Sequence, residues 1–158
     1  MKYNRLGRSD LNISRLTLGT MQFGAALDEA QANVLMDTAF EAGINTFDTA
    51  EMYAVPPSKD MQGVPEHMIG KWMKSKSRDQ LIMASKVTGP GQMTWIPSRR
   101  EPASPEGPTQ LDRASIIAAC EGCLSRLDTD YLDLFQTHWP SRYVAGQFGH
   151  MRYDRQNE

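Results

Sequence analysis

Cysteine is nearly absent from this sequence, which has two, Cys120 and Cys123, in the string CEGC. A structural zinc site needs a second pair of ligands at suitable spacing, and none is present, so no metal is expected. A redox-active pair should open a helix, where the helix end lowers the thiol pKa. Here the pair falls inside a helical pattern and reads as two semi-buried small residues of a reducing compartment. Long apolar runs are missing too: no segment approaches the ~20 residues of a membrane span, so no membrane association is expected. The N-terminus MKYNRLGRSD lacks the apolar core of a signal peptide, which makes a cytoplasmic location the default. Charge of one sign is also lacking. With 17 Lys and Arg against 19 Asp and Glu, and no basic run to track phosphates, nucleic acid is not an expected partner.

What is present is a soluble-domain composition, 40% hydrophobic and 23% charged over 158 residues, enough for one ordinary core. The start reads as a hairpin (residues 2–6 and 11–13), followed by a strand in RLTLGT that ends at Gly19 and Thr20. Asp28 and Gln31 have capping-box spacing. Val34, Leu35, Thr38, Ala39 and Ala42 then recur at helical spacing, with Gly43 as the stop. INTFDTA is β-rich. Pro65 suits the first turn of a second helix, whose stripe is Met68, Ile69, Trp72 and Met73.

QLIMASKV (residues 80–87) is the near-continuous apolar run of a buried parallel strand. A Gly-, Pro- and Ser-rich loop runs to about Leu111. Asp112 can cap a third helix, with Ile116, Cys120, Cys123 and Leu127 on one face and Ile117 and Leu124 beside them. Gly122 inside that helix reads as a local weakness of up to ~1 kcal/mol. YLDLFQTHW (residues 131–139) supplies a fourth strand.

Strand and helix alternate, which predicts an α/β fold with a parallel sheet. An open doubly wound sheet would show G-x-G-x-x-G after its first strand; LGTMQFG does not match. A (β/α)₈ TIM barrel instead places functional polar residues at the C-terminal ends of successive strands. The second, third and fourth strands end in Asp48, Lys86 and His138, and Tyr53 follows Asp48 closely enough to fold back over that rim.

Each residue has an ordinary structural explanation: a cap, a solvated charge, a satisfied imidazole, an amphipathic surface ring. Together they suggest chemistry. A phenol near pKa ~10 is eased toward ionisation by an adjacent ammonium. A carboxylate holds that ammonium, and a histidine orients a substrate carbonyl. The expectation is an acid that protonates an oxygen gaining negative charge, with Lys86 in hydrogen-bond reach of the Tyr53 hydroxyl and Asp48 touching Lys86. Glu51 reads as a loop acid with no chemical task.

YNRLG, LGTM, GIN, FDTAEMYAVPP, ASKV and LSRLDTDYLDLFQTHWP resemble the aldo-keto reductase superfamily, in its bacterial Tas-like branch. The resemblance covers nearly the whole chain. It implies NADPH-dependent reduction of a small-molecule aldehyde or ketone, with Tyr53 as general acid, Lys86 tuning it, Asp48 pairing with Lys86 and His138 positioning the carbonyl. It also implies Gly19, Thr20, Met21 and Asp48 near the nicotinamide, and Trp139 at the substrate pocket. A full barrel takes ~250 residues, so residues 1–158 are expected to form its N-terminal half, a hairpin plus four parallel strands and three helices, ending in the loop after the fourth strand. Such a half lacks the phosphate site that barrels place after strands seven and eight. Little activity, with self-association through unpaired strand edges, is therefore one alternative; a regulatory role like that of channel-associated proteins of this fold is another.

Overall fold

A computed structural model describes residues 1–142; residues 143–158, which include the tail QFGHMRY, lie outside the described part. An antiparallel hairpin comes first, β1 (Tyr3–Arg5) with β2 (Asn12–Ser14), pairing Tyr3 with Ser14. Four parallel strands follow, each separated from the next by a helix: β3 (Thr17–Gly19), α1 (Glu29–Glu41), β4 (Thr46–Asp48), α2 (Val64–Met73), β5 (Ile82–Val87), α3 (Arg113–Leu127) and β6 (Leu134–Thr137). Their spatial order β3-β4-β5-β6 is the chain order, as in a growing barrel rather than a doubly wound sheet. Among the described residues β3 and β6 are the two edges. No helix among them is long and apolar enough to cross a membrane.

Strand parity sorts the side chains. Leu18, Phe47 and Met83 lie in one register row and join the core shared with the helices. Trp72 of α2 anchors that core, with ring centres 5.0 Å from Phe47 and 6.1 Å from Phe40. Its indole N–H donates to Asp37 at 2.9 Å. The hairpin is fastened beneath β4 by Asn45, whose Oδ1 accepts from Ser14 N and whose Nδ2 donates to Asn12 O.

The helix ends follow the expected chemistry. Asp28 and Gln31 form the reciprocal capping box of α1, and Asp112 accepts from Ser115 N at the start of α3. The buried faces match the sequence expectation in part, at Ala39, Cys123 and Leu127. α1 buries Ala32, Met36 and Ala39, while Val34 is 67% exposed. α3 buries Ala118, Ala119, Gly122, Cys123 and Leu127, with Ile117 exposed. Each buried face mixes small residues with one large one, Met36 in α1 and Leu127 in α3. Gly122 lies on the buried face of α3, beside the end of the Arg126 side chain and the Arg100 backbone. A Cβ on it would meet Arg126 Nη1 at 3.0 Å and the Arg100 backbone at 3.4 Å.

Candidate active site

The C-terminal ends of β4, β5 and β6 bring three of the four singled-out polar residues to one rim, and the turn after β4 brings the fourth. Register pairs Gly19 with Asp48 and Asp48 with Ala84. Lys86 lies one pleat further along β5, its side chain on the Ala84 side of the sheet. Lys86 Nζ donates to Asp48 Oδ2 at 2.7 Å and to Thr49 O at 2.7 Å. It stands over the Tyr53 ring, 5.2 Å from its centre. The ammonium thus meets the tyrosine through the ring face, in place of the expected hydrogen bond to the hydroxyl. His138 continues the β6 ladder, its N–H donating to Val87 O at 3.0 Å. Its ring meets Tyr53 edge-on at 5.6 Å and Trp139 at 5.2 Å.

The electrostatics correct one expectation. The Tyr53 phenol is held above its ordinary value by burial and then by the Asp48 charge, so desolvation outweighs the neighbouring ammonium. The ring is an acid that keeps its proton at neutral pH. His138 is pushed down to about 4, first by burial and then by Lys86. It is a neutral imidazole at pH 7 with one N–H to give, and its Nδ1 is buried without a partner.

The walls are apolar. Ala50, Met52, Ile96 and Trp139 are buried together, with Tyr53, Met93 and Trp95 against them. Trp139 lies across Gly89, where a Cβ would come 2.4 Å from its ring, and its indole N–H donates to Pro90 O. On the other flank Thr20 is buried and donates twice to Asp48 O. Met21 is 47% exposed, and a Cβ at Gly19 would meet nothing within 4 Å. An open ledge therefore borders Asp48.

Two buried ion pairs behind the site were not found from sequence. Glu51, 0% exposed, accepts from Arg100 Nε at 2.6 Å, Arg100 Nη2 at 3.0 Å and Thr88 N at 2.9 Å. Glu66 of α2 accepts from Arg126 Nε at 2.6 Å and from Ser85 Oγ at 2.8 Å. Glu51 is thus no idle loop acid. The signal was present: residues 47, 49 and 51 share strand parity, so an acid at 51 continues the buried Phe47 row and needs a cation. Both cysteines are free, and burial pushes the Cys123 thiol well up, the opposite of a redox-active thiol.

This geometry has relatives. The sequence model of the aldo/keto reductase family matches residues 15–154. Protein tas of Escherichia coli is 45% identical over 154 residues, covering 97% of this chain and 42% of that protein. A probable voltage-gated potassium channel subunit beta from rice (Oryza sativa) is 33% identical, covering 89% and 38%. The solved aldo-keto reductase from Bacillus halodurans, in its holo form, superposes with a TM-score of 0.66 at 35% identity, covering 87% of this chain and 40% of that one. The chain spans about two-fifths of the length of these relatives, and its four strands correspond to half of their barrel. The match across most of its residues shows that the chain belongs to the aldo/keto reductase family.

Proposed function

We propose that this chain carries the proton-donating side of an NADPH-dependent carbonyl reductase acting on aldehydes or ketones. The observation that supports this best is the convergence at one rim of a protonated phenol, a paired ammonium and a neutral imidazole, bordered by apolar walls. The residues at the ledge fit the nicotinamide end of the cofactor: Gly19 leaves open space, Thr20 is fixed to Asp48 O, and Met21 is exposed. NADPH, when bound, supplies a hydride to the carbonyl carbon.

The chain's own residues do the rest. His138 donates its N–H to the carbonyl oxygen and orients it. As the C=O π bond breaks, Tyr53 gives its proton to that oxygen, leaving a phenolate and an alcohol. Lys86, held in place by Asp48, offsets the phenolate charge across the short gap over the ring. Water then returns the proton to Tyr53. Trp139 and its apolar neighbours exclude water from the reacting face.

NADPH titration followed by tryptophan fluorescence tests the cofactor side. Saturable quenching that is lost in Gly19→Leu supports the ledge. Quenching unchanged by that substitution places the nicotinamide elsewhere.

A further inference from the structure

We propose that Glu51, with Arg100 as its counter-charge, is a positioning residue that fixes Lys86 relative to Tyr53. The inference rests on the reading of Tyr53 as the acid. Glu51 grips the segment around Lys86 at two points. Its backbone N–H donates to Lys86 O at 3.1 Å, and its carboxylate accepts from Thr88 N, two residues on. Thr49 N donates to Ala84 O, so the parallel ladder between the β4 and β5 segments runs on past Asp48 and ends at Glu51. Tyr53 leaves from this anchored point, its N–H on Ala50 O and its carbonyl on Gly63 N.

Arg100 supplies the other half of the device. It is 3% exposed and reaches Glu51 from the long loop after β5. That loop packs on α3 beside Gly122, and Glu101 N donates to Ala118 O at 3.1 Å. One carboxylate therefore ties the Asp48–Tyr53 turn, the end of β5 and the loop over the site to one another. Stability alone does not account for the choice of residues. A buried ion pair is often no better than apolar side chains of the same volume. What apolar residues cannot supply is an acceptor for the Thr88 N–H while the turn is held against β5.

Two double variants separate the acceptor from the charge. Glu51→Met with Arg100→Met removes both, whereas Glu51→Gln with Arg100→Met removes the charges and keeps an acceptor for Thr88. The Met/Met variant is expected to lower kcat about ten- to a hundredfold with carbonyl KM within about threefold, the scale of a small misplacement of reacting groups. The Gln/Met variant should recover most of that loss. Alkaline titration of the Tyr53 phenol, taken as the difference from Tyr53→Phe, gives a readout independent of turnover. It should move down toward the ordinary tyrosine value in Met/Met, as the loosened turn admits water, and stay near the parent in Gln/Met.

Equal kcat and equal phenol midpoints in the two folded variants would overturn the proposal. If either variant does not fold, Arg100→Lys replaces it. That change keeps the charge but loses the two-pronged contact, so it should move the phenol midpoint down, and an unmoved midpoint sinks the idea. Full activity in Tyr53→Phe would instead refute the reading of the acid, whereas the phenol titration would still report on the grip.

Discussion

Lys86 and Asp48 meet through a single 2.7 Å contact, with the lysine side chain 13% exposed and the aspartate 29%. The second ammonium bond goes to Thr49 O, so Lys86 is aimed by the turn that leads to Tyr53. Asp48→Asn keeps the shape and removes the charge. It should lower kcat about ten- to a hundredfold, since a less anchored ammonium no longer offsets the phenolate. Carbonyl KM should hardly change, because the carboxylate has no part in binding the carbonyl. Steady-state kinetics on the folded variant check this; an unchanged kcat contradicts the role given to Lys86.

His138 predicts an acid-side loss of stability. Its folded-state value lies near 4, below the ordinary ~6.5 of histidine. Between those values the unfolded chain takes up a proton that the folded chain does not. The contribution is therefore fully present above about pH 6.5 and is lost as pH falls through about 4. The ring is partly exposed, so the effect should be about 1–2 kcal/mol rather than the full value of the shift. Urea melts at neutral and mildly acidic pH should show this slope in the parent and its absence in His138→Asn.

The α2–α3 contact predicts a sensitive glycine. A Cβ on Gly70 would lie 2.6 Å from Leu127 O and 3.0 Å from Arg126 O, both of them backbone. Helix propensity favours alanine by up to ~1 kcal/mol, but overpacking against rigid backbone costs about 1–3 kcal/mol. Gly70→Ala should therefore destabilise the chain in a denaturant melt, whereas an exposed helix glycine replaced by alanine would stabilise it.

Much of this was legible in the sequence, for physical reasons. The order of elements follows from local periodicity, as do the capping box at Asp28 and the cap at Asp112. Asp48, Lys86 and His138 stood out as a set, because successive parallel strands bring their C-terminal ends to one rim. Helix faces were harder to read. Periodicity weights Val34 and Ile117 by size, yet both are exposed while Ala32, Ala119 and Gly122 are buried, because the face a helix buries is set by its tertiary neighbours. The direction of the Tyr53 shift was missed because the opposing Asp48 charge and the depth of the pocket are tertiary facts. Glu51–Arg100 joins residues 49 positions apart across an irregular loop, and no local pattern marks Arg100 as the partner.

In the proposed reaction Tyr53 protonates the carbonyl oxygen. The most direct test of this step is the rate of carbonyl-dependent NADPH oxidation in the parent and in Tyr53→Phe, across a range of pH. Loss of a positioned general acid predicts a fall of about 10²–10⁴-fold in Tyr53→Phe. The parent rate should stay level through neutral pH and decline only as the phenol ionises, above the ordinary tyrosine value of ~10. Equal rates in the two proteins, or no carbonyl-dependent oxidation by the parent, would contradict the account.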